Sequence, residues 1–344
     1  MVVVIKAYVK RIATALMLLF SCLSLSGQDI HFTQFYEPQL TLNPSNTGRF
    51  IGDWRVNANF RNQWGSIVKP YVTSAVSFDY QLQFLGQTVG LGGFYAFDQS
   101  ADQTLYMNKL MLSAAWHKAI GYQQFSLGSS IGFNKRSLNY SSLSFPGQFD
   151  NTIGGFNTSF SSGESFAVNN SNYLDMNIGF NYKNRLNEKW IVEGGLSMFH
   201  FNWPSENFTS INTKVPPRYV FSGGSNYNIN AKSYITGHAL YMYKKKASDL
   251  LLAAHYNYRL APNKTNLSVL FAGLAYRGGV SRNIDAIAFI FGAETKNYRY
   301  GFAYDVNVSK LSTSTFYKGA FEISLTYIAP HPTPSKYTIP CEIY

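Results

Sequence analysis

Apolar and polar residues alternate with a period of two along most of this chain, in segments of about ten residues, the spacing of half-buried β-strands. Trp54, Val56, Ala58 and Phe60 stand against Arg55, Asn57, Asn59 and Arg61. Val72, Val76, Phe78 and Tyr80 stand against Tyr71, Thr73, Ser77 and Asp79, and Leu174, Met176, Ile178, Phe180 and Tyr182 against Asp175, Asn177, Gly179, Asn181 and Lys183. The pattern persists to the end: Tyr298 to Val308 in even steps oppose Arg299 to Ser309, and Phe321, Ile323, Leu325 and Tyr327 oppose Glu322, Ser324 and Thr326. It predicts fourteen strands, at 54–61, 71–81, 88–97, 105–117, 124–138, 173–184, 190–201, 217–229, 233–244, 249–258, 266–277, 285–295, 298–308 and 317–328.

A soluble sandwich also buries one parity, so alternation alone leaves two architectures open. Strand length favours a membrane barrel, because sandwich strands average about 5–6 residues while a tilted strand crossing a bilayer needs about 9–11. An even strand number is what single-chain outer-membrane barrels have. The two longest connections, 139–172 and 202–216, fall on the same side of such a barrel, while 118–123, 185–189, 230–232 and 296–297 on the other side are short. Trp54, Trp116, Trp190, Tyr182, Tyr243, Tyr256, Tyr258 and Tyr298 stand near strand ends, where an interfacial girdle lies. The expected fold is all-β, a transmembrane antiparallel barrel facing outer-membrane lipid, with an N-terminal segment in the periplasm or in the lumen as a plug.

Composition narrows the class. Of 344 residues, 14% are charged and 17% aromatic, against a usual charged share of about 25%. Beyond residue 28 no apolar run is long enough for a membrane-spanning helix, and the mean hydropathy of −0.13 suits strands that are apolar on one face only. Lys6, Lys10 and Arg11, the apolar run Ile12 to Phe20, and Leu25-Ser26-Gly27 read as a signal peptide over 1–27. A lipoprotein site at Cys22 is the alternative, but Phe20, Leu23 and Leu25 fit it poorly. With Cys22 removed, Cys341 is the one remaining thiol, and an internal disulfide is excluded. The expected organisation is a signal peptide at 1–27, a leader or plug at 28–53, a barrel at 54–328 and a Pro-rich tail at 329–344.

Candidate chemistry is sparse. Gly128-Ser129-Ser130-Ile131-Gly132 matches a nucleophile elbow, but that chemistry needs a sharp strand-to-helix turn and this motif sits inside an alternating strand. The six histidines have no i, i+2 or i, i+4 pairing and there is no Cys-x-x-Cys, so no metal or cofactor site is expected. His200 and His238 are lone histidines that a barrel-strand hydrolase would use; a lumen or rim histidine is the plainer reading. Lys244-Lys245-Lys246 is a basic hairpin tip suited to solvent, lipopolysaccharide or an acidic partner. No nucleic-acid motif is present.

The leader Phe32-Thr33-Gln34-Phe35-Tyr36, followed by Leu42-Asn43-Pro44-Ser45-Asn46-Thr47-Gly48, resembles the mature N-terminal signature of the PorP/SprF-type outer-membrane proteins of type IX secretion and gliding. Arg61-Asn62-Gln63-Trp64, Gly195 to His200 with Pro204 and Phe208, Tyr304 to Asn307, Gly319 to Leu325 and Pro340-Cys341 resemble later blocks of that family in the same order. Asp102 and Ser222 depart from it. The resemblance implies a non-enzymatic component that helps export or anchor proteins carrying a type IX C-terminal sorting domain, such as surface adhesins. It also implies contact with periplasmic ring or peptidoglycan-associated subunits, with both termini periplasmic. Phe35, Tyr36, Asn43, Pro44, Gly48, Arg61, Trp64, His200 and Pro204 are the candidate docking residues. A passive or hydrophobic-solute channel with an N-terminal plug is the alternative.

Overall fold

A computed structural model describes residues 30–65, 70–100, 104–139, 143–163, 170–207, 213–245, 247–261, 266–279, 284–310, 312–313 and 315–331. The expected signal peptide, Lys246, Phe208 and Cys341 lie outside the described residues.

Fourteen strands form one closed barrel. They are β1 (Trp54–Gln63), β2 (Tyr71–Phe84), β3 (Gln87–Gln99), β4 (Leu105–Ile120), β5 (Gln123–Leu138), β6 (Asn170–Arg185), β7 (Trp190–Phe199), β8 (Arg218–Asn228), β9 (Ser233–Lys244), β10 (Ala247–Arg259), β11 (Leu267–Gly278), β12 (Ile284–Thr295), β13 (Tyr298–Asn307) and β14 (Lys318–Ile328). Each pairs antiparallel with its sequence neighbour, and β14 closes on β1 with Ile323 opposite Phe60. Closure leaves no unpaired strand edge, which a structure in lipid requires because no water is there to satisfy free N–H and C=O groups.

Where alternation and structure differ, the cause is local. β2 runs on to Phe84 and β4 to Ile120, past the points where alternation fades, because two-residue turns let the ladder continue to the tip. β7 stops at Phe199 since His200 adopts a left-handed φ of 59°. β8 starts at Arg218 because Pro217 has no N–H to pair.

The two faces obey the pleat. Phe78, Ile178 and Ile323 are exposed on the outside, whereas Asp79, Asn177, Asp305 and Glu322 are buried within. Connections after even-numbered strands are short and lie at the end where the leader joins β1, here called the leader end. Those after odd-numbered strands include 139–169 and 200–217 and lie at the long-loop end. Trp54, Tyr298 and Tyr327 cluster at the leader end with ring centroids about 5 Å apart, and Trp190 joins that belt with its indole N–H on Ser225 Oγ at 2.8 Å.

One side of the interior is apolar, unlike the polar lumen of a porin. Leu240, Met242, Leu251, Ala253, Phe271, Ala275, Ala288 and Ile290 all turn inward and pack into one apolar cluster with Phe35 of the leader. A barrel wall is apolar on both faces only if something apolar fills it.

Candidate functional site

The leader fills the barrel. Ile30 begins it in the long-loop half, against a second apolar cluster of Phe32, Leu40, Ala75, Phe94, Ala96 and Met111. The chain then crosses to Tyr36 and Glu37 in the leader half, where Glu37 accepts from Arg299 at 2.7 Å. It makes one helical turn, Gln39–Leu42, and a tighter turn, Pro44–Asn46, before leaving toward β1. The second turn forms because Asn43 caps it: its side-chain oxygen accepts from the Ser45 N–H at 2.9 Å and the Ser45 hydroxyl at 2.7 Å, while Pro44 supplies a φ already suited to a turn.

Polar groups fix the segment in place. The Glu322 carboxylate accepts the Thr33 and Gln34 N–H groups at 2.6 and 2.9 Å and pairs with Arg61. Arg61 also binds Asp305 at 2.9 Å and the Thr33 hydroxyl at 2.7 Å, and Arg277 reaches Asp305 at 3.0 Å. Further round, Asp79 accepts from Arg55 at 2.9 and 2.7 Å and from the Gly48 N–H at 2.7 Å. Arg49 pairs with Glu193 at 2.9 Å, and the Asn43 amide donates to the Phe180 and Leu196 carbonyls at 2.9 and 3.2 Å. The leader therefore ties together strands on opposite sides of the barrel.

Glycines make room for it. Gly48 has a φ of 72°, and a Cβ there would lie 2.5 Å from the Gly90 Cα. At Gly128 a side chain would meet the Pro44 carbonyl oxygen at 2.5 Å. The glycine of the elbow-like motif is thus a contact surface for the leader, and Ser130 at its centre accepts from Asn177 at 3.0 Å inside a straight strand.

Of the nine candidate residues, Phe35, Tyr36, Asn43, Pro44, Gly48 and Arg61 come together in or against the leader. Tyr36 stacks on His238 at 4.5 Å and meets His255 edge-on at 4.9 Å. His200 lies apart, its Nδ1 2.7 Å from Asp175, which also holds Lys109 at 2.6 Å. Trp64 and Pro204 sit at the long-loop end. The Trp64 N–H donates to the Gly319 carbonyl at 2.9 Å, and the Pro204 carbonyl accepts from Val215 at 2.8 Å. Phe35, Asn43, Arg61 and His200 are buried and engaged within the chain. Sequence reasoning missed the acidic anchors Glu322, Asp305 and Asp79 as leader ligands. The signal was present as carboxylates in the inward parity of β2, β13 and β14.

At the leader end, a cavity of about 500 Å³ opens beneath the leader, lined among others by Tyr36, Glu37, Arg49, Glu193, Asn226 and Arg299. On the other side of the leader, between Ile30, Lys109, Phe199 and Arg218, the void is about 10 Å³. Among the described residues no group of His, Cys, Asp and Glu is arranged to hold a metal.

A closed fourteen-stranded barrel with a lipid-facing apolar exterior and a leader packed through its lumen is a transmembrane protein of the outer-membrane type. The family model described as type IX secretion system membrane protein PorP/SprF matches residues 24–327. The chain belongs to that family. No curated protein matches it. Solved structures similar to it include the CymD monoaromatic hydrocarbon channel, at 12% identity over 86% of this chain and 93% of that one, with a TM-score of 0.48. The P. putida toluene transporter TodX follows at 11%, 84% and 93%, TM-score 0.47, and a Pseudomonas aeruginosa FadL homologue at 10%, 83% and 92%, TM-score 0.46.

Proposed function

We propose that this protein is a plugged outer-membrane docking component of type IX secretion that helps export or anchor proteins carrying a C-terminal sorting domain, surface adhesins among them, and that it catalyses no reaction. The observation that carries the reading is the leader, held through the lumen by the ion pairs Arg49–Glu193 and Glu37–Arg299 and by hydrogen bonds to strands around the barrel. A plug tied in this way supports a scaffold that presents surfaces on either side of the membrane. Membership of the family supplies the secretion context. In this reading both termini and the short turns face the periplasm, where ring or peptidoglycan-associated subunits meet the protein, and loops 139–169 and 200–217 face outward.

Replacing Phe35, Tyr36 and Asn43 together tests it. The expected result is a barrel that still inserts and shifts on heated gels, with surface display of one or a few client proteins abolished. Unchanged display with raised uptake of small solutes overturns the docking role in favour of a channel. Orientation is checked by labelling single thiols in intact cells in a Cys341→Ser background: Asn157 should label and Asn187 should not.

A further inference from the structure

The leader-end rim carries apolar side chains where a solvated turn has no use for them. Leu85, at the tip of the β2–β3 hairpin, is 85% exposed and Tyr122, at the β4–β5 tip, is 75% exposed. Ile120 and Leu186 are exposed beside them. Leu85 and Gly86 have φ values of 50° and 71°, so both central residues of this two-residue turn are left-handed. The first of those positions favours Asn, Asp or Gly, and a leucine there costs conformational energy and gains no packing in the monomer. Strain kept at an exposed apolar tip points to a contact made outside the chain.

Lipid is the weaker candidate for that contact, and it is one outcome of the test below. Ile120 stands four residues beyond Trp116 on the same strand, toward the tip. Four residues of strand are roughly 13 Å, or about 9 Å along the membrane normal at a tilt of ~45°, so this tip projects beyond that tryptophan. The same rim is basic: Arg185, Lys189, Lys232 and Lys296 are exposed there, against the exposed carboxylate of Glu188 among the described turn residues. Two such rims repel each other, so a second copy of the chain is disfavoured.

From this arrangement we infer that the leader-end rim, Leu85, Tyr122 and Leu186 set among Arg185, Lys189 and Lys232, is a docking surface for an acidic protein that presents apolar groups between its carboxylates. The inference rests on the reading that this end faces the periplasm, and it names the surface and partner chemistry that reading leaves open. Apolar tips supply the affinity and the cations supply steering and register, the usual division in a protein interface.

Photo-cross-linking in native outer membranes tests it, with benzoylphenylalanine placed singly at Leu85 and Tyr122 and, as a lipid-facing control, at Leu112. The expected result is one protein adduct shared by the two rim positions, with an acidic contact peptide, and none at Leu112. Its yield should fall on the order of tenfold with Arg185→Glu plus Lys189→Glu, and likewise with Leu85→Asn when the probe is at Tyr122. Leu85→Asn relieves the turn, so that variant stays folded and heat-modifiable and its loss of adduct is not misfolding. Adducts to lipid alone, to a second copy, to a non-acidic peptide, or insensitive to charge reversal overturn the inference, as does the absence of any adduct. Thiol labelling at Ile153 and Asn187 of the same strains reports orientation separately, so an inverted barrel is distinguished from a rim that docks nothing.

Discussion

The leader meets two different walls. On β13, β14, β1 and β2 it faces Asp305, Glu322, Arg61, Arg55 and Asp79, all charged and all buried. On β8 to β12 it faces Val220, Leu240, Met242, Leu251, Phe271 and Ile290, with Phe35 driven into them. Apolar contact is tolerant of small slips, whereas a carboxylate holding two adjacent backbone N–H groups, as Glu322 does with Thr33 and Gln34, accepts one register only. The charged wall sets where the plug sits; the apolar wall buries Phe35 against it.

Breaking either wall should have a large effect, and the charged wall alone should also free the register. Arg61→Met leaves Glu322 and Asp305 buried with one fewer cation, which costs about 3–5 kcal/mol. Adding Glu322→Gln should recover part of that, because a missing pair costs less than a widowed charge. Denaturant titration of the barrel in bilayers reads both. Phe35→Ala on the other wall should cost about 3–5 kcal/mol by cavity formation, but without freeing register. Limited proteolysis should find the plug loosened in Arg61→Met and merely weakened in Phe35→Ala.

The outer face provides a third measure. Ile178 points into lipid, so Ile178→Arg should cost about 2–4 kcal/mol near the midplane. Its neighbour Asn177 is not a neutral control, because it is buried, donates to Ser130 at 3.0 Å and accepts the His200 N–H at 3.0 Å. Asn226, which lines the open cavity, is the better one, and Asn226→Arg should be tolerated there. If Ile178→Arg folds as well as Asn226→Arg, the outward assignment of its parity fails.

Much of this was legible in the sequence. Alternation placed the fourteen strands and their facing because the pleat has a strict period of two and the exterior solvent is lipid. The tie between Arg61 and Asp305, 244 positions apart, was not legible. Strand pairing brings their walls together only after closure, and one sequence holds no signal for that. Nor did periodicity show that inward residues of β9 to β12, such as Leu240 and Leu251, are apolar for the sake of Phe35. An apolar residue in the polar parity reads as noise until its partner in the leader is known.

The smallest effect is expected at Tyr36, and it separates the ring from its hydroxyl. The ring stacks on His238 and meets His255 and Phe35 edge-on, contacts each worth about 0.5–1.5 kcal/mol beyond burial. The hydroxyl is buried and has no hydrogen-bond partner among the described residues. Removing an unsatisfied buried polar group while keeping the shape is close to neutral, so Tyr36→Phe should change stability by no more than about 0.5 kcal/mol, while Tyr36→Ala should lose the stack and cost several times that. If Tyr36→Phe preserves the plug in a proteolysis assay yet reduces client display, the hydroxyl is reserved for a ligand in the cavity that Tyr36 lines. If neither stability nor display changes, Tyr36 belongs with Phe35 as packing, and the division between the two walls is complete on the apolar side.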